Sequence, residues 1–462
     1  LDAATTANNN TALGARSLSA TTTGSQNTAV GEDSLLVNTT GGQNVAVGRN
    51  ALASNTSADH NTALGDLALT NNTSAANTAV GSGALQQNTT GGQNVAVGYV
   101  ALDANTTGSE NVAIGQSALG NNTTASANTA VGRSALKDNT TGTQNVAVGA
   151  LALEDNTTAN SNTAIGYSSL TSNTTGTENT ALGRQTLKEN TTGGGNVAIG
   201  VNTLLNNTSA SNNTGVGNGA LAQNTTGLQN TALGFYTLDA NTTGNYNTSL
   251  GAYSLGANTT GSNSVAVGKD ALRLNTTGPS NTAVGVNALE SNTTGGSNVA
   301  VGINALDANT TASYNTAIGT SAGGKITTGA QNVFVGRSAG KEGTTNNDCV
   351  FVGDRAGDNN TGSFNTALGG RALAGSAAGG HNVAIGYFSQ YTGNTGTGNI
   401  SIGNFALEKQ TSGENNIAIG YESLEENTTG ARNVAIGGYS LDSNTTANDN
   451  TAIGFNSLTT NS

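Results

Sequence analysis

Small and aliphatic side chains recur along this chain at a fixed spacing. A run of the type Asn-(Thr/Val)-Ala-(Val/Ile/Leu)-Gly ends on Gly14, Gly31, Gly48, Gly65, Gly81 and onward to Gly437 and Gly454. There are 27 copies, and 24 of the 26 intervals are 17 residues; the other two, Gly65 to Gly81 and Gly353 to Gly369, are 16. Numbered from its Asn, one copy runs Asn94-Val95-Ala96-Val97-Gly98-Tyr99-Val100-Ala101-Leu102-Asp103-Ala104-Asn105-Thr106-Thr107-Gly108-Ser109-Glu110. Position 4 is always Val, Ile or Leu, and position 5 is always Gly; position 9 is Leu in 23 copies and position 12 is Asn in 21. Nearly all charges fall at positions 6, 7, 10, 11, 16 and 17. Fixed small or apolar sites between free polar ones predict a coil with a constant inside and a variable outside.

Seventeen residues are too few for the helix pairs of helical solenoids, which need about 33 or more. Asn, Thr and Gly are also poor helix interiors. The pattern predicts an all-β chain: a parallel β-solenoid or β-roll of about 27 coils. Each coil would hold two extended stretches, Asn-Thr-Ala-Val-Gly and a second from the Ala-Leu pair towards Asn-Thr-Thr. At about 4.8 Å per strand, the coils would stack to roughly 130 Å. The array divides into regular repeats over 1–318, variant repeats over 319–416 and regular repeats over 417–462.

The irregular copies indicate what lies inside. Gly340 and Gly357 replace the position-9 Leu, and in the same copies position 3 becomes Phe334 and Phe351 instead of Ala. Packed interiors conserve volume, so positions 3 and 9 share one core. The copy with Gly323 keeps Ala317, so this exchange is incomplete within its own coil. Positions 2 and 4 then point outward. An aliphatic stripe of that length is too large to leave in water, and it predicts packing against further copies around a common axis. Val47, Val97, Ile114, Val148, Ile199, Val267, Val301 and Ile436 would line that axis. The alternative puts positions 2 and 4 inside a wider coil.

Composition narrows the function more than it defines it. Charged residues are 9 %, aromatics 4 %, with 66 Gly, one Pro, one Cys and no Trp or Met. A net charge of −12 with 15 scattered Lys and Arg argues against nucleic-acid binding. No run of about 18 apolar residues exists for a membrane-spanning helix, and Leu1 begins no basic-then-apolar leader. Leu1 falls at position 9 and Ser462 at position 13, so the chain starts and stops within a repeat. That pattern predicts a section of a longer fibre, or end-to-end stacking.

Nineteen copies carry Asn-Thr-Thr or Asn-Thr-Ser at positions 12 to 14. The asparagines are Asn38, Asn55, Asn72, Asn88, Asn105, Asn122, Asn139, Asn156, Asn173, Asn190, Asn207, Asn224, Asn241, Asn258, Asn275, Asn292, Asn309, Asn427 and Asn444. Each is a formal N-glycosylation acceptor, or else a rung in a side-chain amide ladder between coils. The position-1 row, such as Asn27 and Asn44, carries the acceptor pattern only at Asn247 and Asn399 and is expected to be structural. Between Gly319 and Asn416 no copy has the acceptor pattern at position 12, where Ile326, Gly343, Asn360, Ser376, Gly393 and Gln410 stand. Five of the seven Phe residues fall there, and Phe334, Phe351, Phe388 and Phe405 mark a variant patch, either a docking site or repeat drift.

Catalytic chemistry finds no purchase. His60 and His381 both occupy position 17, a turn site, and cannot complete a Ser-His-Asp or Cys-His set. Cys349 replaces a row Asn and is expected to be a small filler. Gly215-Val216-Gly217-Asn218-Gly219-Ala220 imitates a phosphate loop with repeat glycines. No enzyme, metal or cofactor is indicated.

Asn111-Val112-Ala113-Ile114-Gly115 and Asn433-Val434-Ala435-Ile436-Gly437 resemble the head repeats of trimeric autotransporter adhesins, a style of unit also found in repetitive phage tail-fibre proteins. The resemblance covers the whole chain, although the period here is longer than in those heads. It implies a left-handed parallel β-roll, trimeric, in a surface adhesin or fibre. The expectation is therefore a structural component of an extracellular, cell-surface or virion-surface fibre, partnered by itself as a homotrimer, with a surface receptor or glycan unidentified. A monomeric ice-binding solenoid and a carbohydrate-binding adhesin are the alternatives.

Overall fold

A computed structural model of the chain describes residues 3–375 and 378–459. Leu1, Ser376 and Ser462, assigned coil positions above, lie outside them. Among the described residues there are 27 strands of three residues each, and no helix. The coils fall into two compact units, divided between Gln229 and Asn230.

In the first unit, β1 (Thr11–Leu13) to β13 (Thr214–Val216) pair in sequence order, each parallel to the next. In the second, β14 (Thr231–Leu233) to β27 (Thr451–Ile453) do the same. The register sets like against like: β6 (Val95–Val97) meets β7 (Val112–Ile114) as Val95 with Val112, Ala96 with Ala113 and Val97 with Ile114. The chain is thus a parallel β-solenoid in which one repeat makes one coil.

Strands alternate in burial. Val112 is half-buried, Ala113 is fully buried and Ile114 is 39 % exposed. Position 9 joins position 3 inside, as Leu102 beside Ala96 and Leu119 beside Ala113, all fully buried. The wider coil with positions 2 and 4 inside is therefore ruled out. The small Ala leaves room for Leu across a narrow interior, so the core is a single column of side chains.

The second extended stretch does not form a strand. Positions 6 to 11 turn, because positions 7 and 9 adopt left-handed backbone: Val100 has φ 48° and Leu102 φ 54°. The curl is too tight for extended pairing, yet the coils stay bonded. The Leu102 N–H donates to Ala118 O at 2.9 Å, and the Thr106 N–H to Thr123 O at 2.8 Å. A left-handed L-residue costs about 1–2 kcal/mol, and the hydrogen bonds and the buried Leu hold it there.

The corner glycine has a separate cause. Gly98 has φ 140°, and a Cβ on it would lie 2.6 Å from Gly115 O in the next coil. No side chain fits between two coils at that corner, which explains why position 5 never varies.

Candidate functional site

The outer strand face is the most extensive surface feature. Val47, Val97, Val148, Ile199, Val267 and Val301 are half-buried, and Ile114 and Ile436 are 39 % and 37 % exposed. All eight point out of the coil, as position 4 requires. Leu64, Ile165 and Leu182 extend the same row in the first unit, and Leu233, Leu250, Ile318 and Ile402 in the second. An exposed apolar row of this length is rare on an isolated soluble domain.

The two asparagine rows lie inside. Asn105 is fully buried, and its Nδ2 donates to Gly108 O at 2.9 Å and to Asn88 Oδ1 in the preceding coil at 2.8 Å. Asn122 repeats this towards Asn105, and Asn139 towards Asn122. All nineteen formal acceptors, from Asn38 to Asn444, are fully buried. A glycan on Nδ2 needs one of those hydrogens and a path to solvent, and the folded coil supplies neither. The glycan reading is corrected: in the fold these side chains form an amide ladder.

Position 1 forms the second ladder. Asn94 Oδ1 accepts the Asn111 N–H at 3.0 Å, and Asn94 Nδ2 donates to Gly108 O at 2.9 Å. One carbonyl, Gly108 O, thereby ties both rows together. The two 16-residue coils test this geometry. In the first, Asn61 Nδ2 is buried and has no partner. In the second, Cys349 takes the place of Asn, needs no amide acceptor, and still receives Asn332 Oδ1 on its N–H at 3.0 Å. Burial pushes the Cys349 thiol up, so it is held as an unreactive filler.

The variant patch separates into two groups. Phe334 and Phe351 are fully buried, with ring centroids 5.5 Å apart, and do not reach the surface. A Cβ on Gly357 would meet Phe351 Cδ2 at 2.5 Å, and one on Gly340 would meet Phe334 Cε1 at 2.5 Å. Phe334 also covers Gly323 of the preceding coil, whose Cβ would stand 2.7 Å from Phe334 Cδ2. The compensation that looked incomplete is completed by the neighbouring coil. Phe388 and Phe405 instead lie on the outside, half-buried, with centroids 5.9 Å apart.

His60 and His381 are exposed at their turn positions, and His381 stacks on Phe364 at 4.9 Å. Gly215 faces Thr203 Cγ2, which a Cβ would approach to 2.7 Å, so that glycine answers core packing. Among the described residues no group of three His, Cys, Asp or Glu is placed to hold a metal. Nor, among the described residues, is any helix long and apolar enough to cross a membrane. A cavity of about 110 Å³ is lined by Arg355, Asp358, Asn359, Arg371, Ala374 and Tyr391.

Ion pairs link equal positions of adjacent coils on the outside. Arg49 bonds Asp66 at 3.1 Å, Arg337 bonds Asp354 at 2.8 Å and Arg432 bonds Asp449 at 2.7 Å. In each the base belongs to the earlier coil, a polarity that nothing in the structure explains. The sequence matches no protein-family model, and no curated protein matches it in sequence.

Proposed function

We propose that the chain is a structural component of a surface fibre, and that its outer strand face packs against further copies of itself. The observation that carries this is the half-exposed aliphatic row of position 4, beside the Thr, Val or Ile of position 2, outside a core that is already closed. Burial of apolar area stabilises by about 25 cal/mol per Å², and a row repeated on every coil offers a long, self-similar contact. In-register stacking makes the face equivalent from coil to coil, so copies aligned side by side would match along the length of a unit. A three-fold arrangement puts one such row from each copy on a common axis. The resemblance of the strand motif to adhesin-head repeats supports the same assembly, and an extracellular or virion-surface setting with it.

Sedimentation of the purified chain tests the reading. A trimer is expected, with the Val97→Asp/Ile114→Asp variant shifting to monomer while its circular dichroism is unchanged. A wild-type monomer would overturn it. The Thr residues that share position 2 with Val make ice binding the competing reading, and thermal hysteresis from a monomeric chain would select it.

A further inference from the structure

Past the corner glycine, the last coils carry a second outward feature. Tyr387, Tyr421 and Phe455 stand at position 6, two coils apart, and Phe405 and Tyr439 stand at position 7 of the coils between them. Ring centroids follow one another at 5.9, 6.1, 5.4 and 5.8 Å along the order Tyr387, Phe405, Tyr421, Tyr439, Phe455. Consecutive rings are turned by 69° to 88°. The position-7 rings are half-buried supports, whereas Tyr387, Tyr421 and Phe455 are 48 %, 45 % and 72 % exposed.

The spacing of the exposed rings has a structural cause. Position 6 of the alternate coils holds Gly370, Asn404 and Gly438. A Cβ on Gly370 would stand 3.3 Å from Tyr387 Cδ2, and one on Gly438 would stand 3.4 Å from Phe455 Cδ2. Those two rings therefore rest on a glycine of the coil before. The Glu422 carboxylate beside the Tyr421 hydroxyl pushes its pKa up to about 12.

We propose that this strip binds an extended, neutral, β-1,4-linked glycan, with sugar rings stacked on Tyr387, Tyr421 and Phe455. Two coils at about 4.8 Å each place the exposed rings about 9.6 Å apart. That is comparable to the length over which an extended β-1,4-linked chain advances two sugars and presents the same face again. A pyranose has an apolar C–H face that an aromatic ring covers, with hydroxyls at its edge for polar neighbours. Asn404, Glu422 and Asn456 border the strip and supply them. Positions 6 and 7 hold no Lys or Arg from Tyr387 to Asn456, and Lys409 is engaged by Glu425 and Glu426. Acidic and amide borders complement a neutral hydroxylated ligand and repel a polyanion. The rigid scaffold means that little ordering is lost on binding.

Depletion by microcrystalline cellulose and by chitin, with calorimetric titration of cellohexaose and chitohexaose, tests this on the purified chain. Retention on at least one solid is expected. Tyr421→Ala should weaken binding by about fivefold to tenfold, whereas Tyr421→Phe keeps the ring and should bind as wild type. Tyr99→Ala removes an isolated exposed ring at position 6 and should change nothing. Circular dichroism of each variant checks the fold. Failure of the wild-type chain to bind either glycan, or undiminished binding by Tyr421→Ala, would overturn the proposal. So would a Tyr421→Ala variant that loses only self-association, which would make the strip a contact between copies.

Discussion

The ring of Phe334 occupies the volume that a leucine at position 340 would need, since a Cβ on Gly340 would lie 2.5 Å from its Cε1. The two residues are six apart in sequence and face each other across the core. Phe334→Ala is expected to lower stability by about 3–5 kcal/mol through the cavity it leaves. Gly340→Leu alone should also destabilise, by collision. Together they restore the ordinary Ala and Leu pair, and the double variant should recover about 2 kcal/mol relative to the sum. Amide exchange at the coil around Gly340 measures this locally, which suits an array that need not melt as one unit. Additive effects would contradict the shared volume.

The orphaned Asn61 Nδ2 makes a paired prediction. Asn61→Cys removes a donor that has no partner, together with the Oδ1 that accepts the Asn77 N–H at 3.0 Å, and should cost less than the loss of a complete rung. Asn94→Cys removes a donor engaged with Gly108 O and the acceptor for the Asn111 N–H, and should cost about 1–3 kcal/mol. Chemical denaturation of the two variants compares them directly; equal losses would show that the shortened coil is not the cause.

Gln390 stands at position 9 in place of Leu, fully buried, and neither its Oε1 nor its Nε2 has a partner. Its amide is desolvated without return, so Gln390→Leu is expected to stabilise by about 1–3 kcal/mol. A lower melting temperature for this variant would show that the amide is satisfied.

Acid response should come partly from one row. Burial raises the Asp103, Asp239 and Asp307 carboxyl pKa values above the ordinary aspartate range. All three occupy position 10, and the next coil has Gly there, as Gly120, Gly256 and Gly324. The folded chain then takes up a proton more readily than the unfolded one. Ionised Asp103 works against the fold at neutral pH, and the penalty is relieved as pH falls through the raised value. Asp103→Asn should therefore be more stable than wild type at pH 7, by less than about 1 kcal/mol for a half-exposed group. The advantage should vanish in acid, and melting temperatures at pH 7 and pH 3 measure it.

The period, the coil and the inward direction of positions 3 and 9 were legible because each depends on residue size alone. The turn through positions 6 to 11 was not, since its left-handed residues are Val100, Leu102 and their counterparts, where glycine would have signalled it. The acceptor pattern around Asn105 left two readings open for a related reason: the same Asn-Thr-Thr letters serve a glycan acceptor and a buried ladder. Phe334 serves two coils, which a comparison confined to one repeat cannot find. The aromatic run was hidden because its members alternate between positions 6 and 7, columns that merge only once the chain turns at the corner.

Like-on-like register also bears on how such a gene can change. Because an ordinary coil presents the same rungs above and below, recombination between misaligned repeats can add or delete a coil and leave every joint intact. The segment from Gly323 to Gly357 is an exception, since Phe334 plugs a gap in the storey beneath it. Length is therefore free to drift almost everywhere, while that segment is inherited whole.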